Sequence, residues 1–290
     1  MKIVSFTTKD EAPRSGILVE GGNLVLDLSA AVKDSISRFD MDGAWYAQAR
    51  SAEEKFHNGP EAEFETLRIE DVRLLAPVPR PGKIVCIGLN YRDHAEETKQ
   101  PIPEKPILFS KFATSVAAPD QPVVLPPSSI KVDYEAELGV VIGRRAKGVS
   151  LEHAMDHVLG YTNFNDVSAR DFQFADGQWV RGKSCDTFAP FGRYIATADE
   201  IPDPQALSII LRLNGITMQD STTGQMIFGV RELIAFISET ITLEPGDVIA
   251  TGTPPGVGFA RTPPVFLKAG DKMEVEIAGL GVLTNDVVGG

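Results

Sequence analysis

The chain has 290 residues, of which 43% are hydrophobic and 23% charged. That globular balance excludes a disordered chain and leaves enough apolar material for a sizeable core. The 28 basic and 40 acidic residues give a net charge of −12 with no basic block, which argues against a nucleic-acid or anionic-membrane partner. No apolar run approaches the ~18 residues of a membrane span, and Met1–Phe6 lacks the apolar stretch of a signal peptide. Two cysteines, Cys86 and Cys185, make no disulfide framework and read as buried thiols. A soluble cytoplasmic protein is expected.

In chain order, Ile17–Val19 and Leu24–Leu26 flank Gly21-Gly22, a hairpin signal. Residues 45–66 are charged and helix-tolerant. The run Ala76-Pro77-Val78-Pro79-Arg80-Pro81-Gly82 fits neither a helix nor a central strand and reads as a linker. The boundary is placed just before it, giving a small N-terminal α+β domain (1–72) and a larger second domain (73–290). Strands are expected at Lys83–Gly88, Pro106–Lys111, Pro122–Pro126, Tyr134–Ile142, Asp247–Thr251 and Lys272–Ile277. Leu207–Leu213 and Ile216–Met218 form a hairpin on Asn214-Gly215. Helices are expected at 151–158 and 229–240, the second with Val230, Leu233, Ile234 and Ile237 at helical spacing. Strands dominate without regular βαβ alternation, so the fold class is α+β, mostly β, with a mixed-sheet barrel or roll.

The segment Asp133-Tyr134-Glu135-Ala136-Glu137-Leu138 carries the first chemistry. In a strand, Glu135 and Glu137 share a face. Their mutual repulsion in an apolar strand calls for shared protonation, a basic neighbour or a hard cation. Two solvent-facing glutamates are the plainer alternative. Asp166, at the end of the aromatic-rich run Tyr161–Asn165, offers a third oxygen ligand.

If a helical turn starts near Asn90, His94 and Glu97 meet at i and i+3. A carboxylate on an imidazole is the arrangement of a general base, although a surface histidine in a solvated turn explains the same spacing. His153 and His157 have Ala154 where hydrolytic zinc motifs carry Glu, so they read as helix surface. His57 is assigned nothing. The loop Ala250–Gly258 lacks the lysine of a P-loop, but its amides and Thr hydroxyls can cradle a carboxylate, and a plain structured turn explains it equally. Lys183, among small residues, can stabilise an enolate oxygen or stand as an exposed loop lysine.

Taken together, Ile87–His94, Tyr134–Leu138, Asn165–Asp171, Gly182–Phe188 and Pro245–Gly258 resemble the fumarylacetoacetate hydrolase family across roughly residues 76–288. The resemblance implies a mixed β-sandwich roll as the catalytic domain, and a homodimer. It implies that Glu135, Glu137 and Asp166 bind Mg²⁺, with Mn²⁺ or Ca²⁺ as substitutes. It implies a His94–Glu97 acid/base dyad on a segment that orders over substrate, with Lys183 as enolate stabiliser. Arg170, Gln173, Thr253 and Gly252 match positions at the substrate oxygens. The implied reaction is hydrolysis of a C–C bond in a 2,4-dioxo acid, of acylpyruvate or 2,4-diketo-3-deoxy sugar acid type, releasing pyruvate. The alternative is oxaloacetate enol–keto tautomerisation or decarboxylation at the same metal. The partner is then a small 2-oxo acid.

Overall fold

The computed structural model describes residues 1–8, 12–29, 39–58 and 64–290. The first strands are β1 (Lys2–Thr7), β2 (Arg14–Val19), β3 (Leu24–Asp27), β4 (Thr66–Arg68) and β5 (Arg73–Leu75), with helix α1 (Ala44–Asn58) between β3 and β4. Of the helix-tolerant stretch, 59–63 lies outside the described residues. β6 (Ile84–Gly88), helix α2 (Arg92–Glu97), β7 (Ile107–Lys111), β8 (Val116–Ala117) and β9 (Val123–Leu125) follow. Next come β10 (Val132–Asp133), β11 (Ala136–Ile142), β12 (Val158–Asn165) and β13 (Ser168–Ala169). Helices α3 (Arg170–Ala175) and α4 (Val180–Lys183) precede β14 (Ala189–Pro190) and β15 (Ile195–Thr197). The chain ends with β16 (Ser208–Leu213), β17 (Ile216–Thr222), helix α5 (Val230–Thr240), β18 (Val248–Ala250), β19 (Lys272–Ile277) and β20 (Gly281–Gly289).

Two sheets carry the fold. The larger runs β4-β3-β2-β1-β15-β12-β11-β18-β6-β7, with β5 also on β1; the smaller runs β17-β16-β19-β20-β9. Parallel pairing of β18 with β6 and of β20 with β9 makes both sheets mixed. The α+β, mostly β expectation is met. β11 reads Ala-Glu-Leu-Gly-Val-Val-Ile and is buried throughout. Its Leu138, Val140 and Ile142 pack with Ile209, Leu211, Val275 and Ile277 of the second sheet and with Leu233, Ile234 and Ile237 of α5. Val141 packs instead with Ile3, Ile17, Trp45 and Phe164. A strand covered on both faces needs the near-continuous apolar run that this one has.

The Asn-Gly hairpin forms as expected, with Asn214 and Gly215 both left-handed between β16 and β17. The 229–240 helix is α5. The helix expected at 151–158 is not formed: the chain makes only a 3₁₀ turn at Ala154–His157 before β12. Its apolar positions serve the turn and the strand rather than one helical face. His153 there pairs with Asp156, and His157 contacts the Arg144 carbonyl. The proline run is packed rather than free: Ala76 and Val78 are buried, and the Ser5 hydroxyl donates to the Pro77 carbonyl at 2.9 Å. β1 pairs with β15, so the N-terminal strands extend the main sheet edge to edge.

Candidate active site

β11 starts one residue after Glu135, and β12 ends one residue before Asp166. Antiparallel pairing sets Ala136 opposite Asn165. That register brings Glu135, Glu137 and Asp166 together, with one oxygen of each within 4.8 Å of the others. All three are buried. Such an all-oxygen cluster suits a hard divalent cation.

The three carboxylates are not equally compensated. Glu135 lies 2.7 Å from Arg170 Nη2 and 2.7 Å from Lys183 Nζ. Burial opposes its ionisation, yet these two cations prevail and hold its pKa down at about 2. Asp166 accepts from Lys183 at 2.7 Å and from Lys111 at 2.5 Å. Among the described residues the hydrogen-bond partner of Glu137 is the Gly252 amide, which donates to Oε2 at 2.9 Å. Burial first, then the charges of Asp166 and Glu135, push its pKa well above the usual carboxylate range. A buried carboxylate with no ion pair among the described residues, beside two others, is the observation that fits a metal ion here. Lys183 is buried, which favours loss of its proton, but Asp166 and Glu135 outweigh that and raise its pKa.

β6 delivers the second group. After Gly88 the chain turns through Leu89 at φ +47° and enters α2. A left-handed leucine is strained and needs a firm anchor. Asn90 supplies one: its amide donates to the carbonyls of Phe228 and Thr251 and accepts from the Phe228 N–H. In the following turn His94 Nδ1 stands 3.0 Å from Glu97 Oε2, while Glu97 Oε1 accepts from the Gly256 N–H at 2.9 Å. The i, i+3 pair is thus formed and pinned to the 251–258 loop.

That loop follows β18. Gly252 has φ +97°, and a Cβ there would stand 2.8 Å from Asn90 Cβ. Its amide serves Glu137. The Thr253 hydroxyl donates to the Ala136 carbonyl and accepts from Gln219, whose amide also bonds Pro254 and the Ala136 N–H. Arg170, at the start of α3, is ion-paired with Asp133 and Glu135 and donates to Gln173. A cavity of about 590 Å³ is lined by His94, Glu97, Glu135, Glu137, Arg170, Gln173, Lys183 and Thr253, among others. Asp166 lies behind Lys183.

Three supporting residues escaped the sequence reading. Lys111 neutralises Asp166. Asp133 accepts from Arg170 and from the Tyr134, Gly258 and Phe259 amides. Gln219 ties β11 to the 253–254 loop. Asp133 was detectable in principle, being the acid that directly precedes the Tyr134–Leu138 motif and ends β10. Cys86 is buried as expected, whereas Cys185 is only half-buried.

Residues 83–288 match the family described as "Fumarylacetoacetate (FAA) hydrolase C-terminal". The chain belongs to the fumarylacetoacetate hydrolase family. Across 99% of this chain and 90% of the relative it is 44% identical to "Oxaloacetate tautomerase fahd2, mitochondrial" of Xenopus laevis. It is likewise 44% identical, over 99% and 92%, to "Oxaloacetate tautomerase FAHD2A, mitochondrial" of Homo sapiens. Among solved structures, fumarylacetoacetate hydrolase from Exiguobacterium antarcticum is 36% identical with TM-score 0.84 and full coverage of both chains. Maleylpyruvate hydrolase from Sphingobium sp. SYK-6 is 30% identical with TM-score 0.81, again over both full chains. Family members thus include hydrolases and tautomerases. No helix among the described residues is long and apolar enough to cross a membrane.

Proposed function

We propose that this protein interconverts the enol and keto forms of a small 2-oxo acid, with oxaloacetate as substrate. The observation that carries the reading is near full-length 44% identity to proteins named oxaloacetate tautomerase. The His94–Glu97 pair, its imidazole buried and its carboxylate open to solvent, lines the same cavity as Glu135 and Glu137 and supplies the chemistry. Hydrolysis of a 2,4-dioxo acid, the first expectation from the sequence, becomes the second reading. It is favoured by the intact dyad and by likeness to a maleylpyruvate hydrolase.

Glu135, Glu137 and Asp166 would hold the cation, Mg²⁺ by the hardness of the donors, and its contribution when bound is Lewis-acid polarisation of a 2-oxo group. Arg170 and Gln173 orient the substrate carboxylate. Lys183 donates to the C2 oxygen as negative charge grows there. In the enol-to-keto direction the C2 hydroxyl gives its proton to solvent water, C2=O forms, and C3 takes a proton from the His94 imidazolium, which solvent then reprotonates. Glu97 holds the His94 Nδ1–H, which leaves Nε2 to deliver the proton to C3. The reverse step uses the same atoms, with no net proton change. In the hydrolytic reading His94 instead activates water.

The test is the decay of the ultraviolet absorbance of enol-oxaloacetate, with proton NMR following the carbon skeleton. Accelerated decay with all four carbons retained supports the tautomerase. Release of pyruvate from oxaloacetate supports a decarboxylase, and acetate plus pyruvate from acetylpyruvate supports the hydrolase. The family resemblance also supports a homodimer, which a single light-scattering mass near 31.4 kDa would contradict. In the proposed division into 1–72 and 73–290, the first unit supports the second through the β1–β15 pairing. The expectation of a cytoplasmic location rests on cysteine usage and the polar N-terminus, and both relatives above are named mitochondrial.

A further inference from the structure

The cavity is chemically divided. Its cationic side chains, Arg170 and Lys183, sit at the acidic inner end. From there outward the wall is aromatic. The Phe259 ring covers the Arg170 guanidinium at 4.4 Å, and the Phe109 ring lies 5.0 Å from Lys183 Nζ. Trp179 meets Phe109 edge-on with centroids 5.3 Å apart, and Phe174 meets Phe259 in the same way at 5.7 Å. Ile107 completes this side; it is 41% exposed and Phe174 is 62% exposed. Trp179 is seated deliberately: a Cβ on Gly88 would fall 2.7 Å from its ring. Besides Arg170 and Lys183, the lining carries Thr98 and Gln100 and, among the described residues, no further Lys or Arg.

Oxaloacetate fills little of a 590 Å³ cavity, and among the described lining residues its second carboxylate finds no lysine or arginine beyond Arg170 and Lys183. Aromatic walls of this kind gain their energy from apolar rings and chains. We infer that the site also takes 2-oxo acids bearing an aryl or branched aliphatic group on C3, and ketonises their enols. The inference rests on the proposed tautomerase chemistry and adds a substrate class to it. The step is the same: the C2 hydroxyl proton passes to solvent water, C2=O forms, and C3 takes the His94 proton, which solvent replaces.

The test uses the full chain with Mg²⁺ and two enols, of phenylpyruvate and of oxaloacetate, followed by ultraviolet absorbance. Both should decay faster than in buffer. Trp179→Ala should raise KM for phenylpyruvate enol about tenfold, the scale of one lost ring contact plus its burial, and change KM for oxaloacetate enol less than twofold. A second readout needs no turnover. Trp45 and Trp179 are the two tryptophans, so Trp45→Phe leaves Trp179 as sole fluorophore for titration with benzoylformate or pyruvate, neither of which is a reacting enol. Tighter binding of benzoylformate supports the inference. Acceleration of oxaloacetate enol alone overturns the inference and spares the functional reading. If neither enol is accelerated, the functional reading and the added activity both fall; the titration then decides whether the aromatic wall recognises aryl 2-oxo acids, and equal or weaker binding of benzoylformate overturns that as well.

Discussion

At the scale of single residues, Glu137 is where burial and charge conflict most. Ionising it costs stability, because its folded pKa lies above the unfolded value; the cost appears as pH rises through that raised pKa. Glu135 has the opposite sign. Its stabilisation is present above the ordinary carboxylate range and is lost as pH falls through about 4 toward 2. Glu137→Gln removes the group whose ionisation burial and its acidic neighbours oppose, and keeps an acceptor for the Gly252 amide. In chelator the variant should therefore melt higher than the parent, by roughly 2–4 °C for each kcal/mol relieved, and Mg²⁺ should no longer raise its Tm. A lower melting point in chelator, or an intact Mg²⁺ response, would contradict this account. In the parent the Mg²⁺ response should fade on acidification while Glu135 is still ionised, which a Tm series across pH reads directly. The Glu135–Glu137 pair and the His94–Glu97 pair were legible because strand alternation and i, i+3 spacing are local, whereas Asp166 joins the glutamates only through the β11–β12 register. Lys111 was not: it ends a strand beside Phe109 and Phe112, and only the folded register brings it to Asp166.

At the scale of elements, three turns position the site: Gly88–Tyr91 into α2, Asn165–Ser168 after β12, and the 251–258 loop after β18. Local sequence marked all three through glycine, asparagine and the break in apolar patterning. Gly252→Ala would place a methyl carbon against Asn90 and a side chain at φ +97°. The displaced amide would leave Glu137. The expected outcome is a soluble protein with at least tenfold lower enol turnover and weakened Mg²⁺ stabilisation, measured by the absorbance assay and by Tm; parent-like values for both would show that the loop tolerates the shift. The reading failed where a short amphipathic pattern had two uses. Residues 151–158 look helical alone, yet β12 must begin at Val158 to pair with β11 and β15, and this leaves room for one 3₁₀ turn. β1 was invisible for a related reason: six residues at a chain end carry little periodicity, and their role comes from partners β2, β5 and β15.

At the scale of the whole molecule, the N-terminal strands and the site-bearing strands share one sheet and one apolar cluster. Ile3, Ile17 and Trp45 pack with Val141, Phe164 and Val248. Composition and motif order gave the fold class, but not this continuity, because strand order is set by long-range pairing. A chain trimmed to 73–290 would bare the β15 edge and this cluster. It should bind a hydrophobic dye strongly or aggregate, and a monodisperse, cooperatively melting fragment would show that the second unit stands alone. The central claim concerns a proton delivered to C3 from a fixed donor, and it can be read as stereochemistry. Enol-oxaloacetate is added to the protein in D₂O with excess malate dehydrogenase and NADH, so that each keto product is trapped as malate. Proton NMR then reads the C3 configuration. A single 3-deuteromalate diastereomer with the parent protein, and an equal mixture with His94→Ala, is the predicted result. An equal mixture from the parent itself would contradict the account.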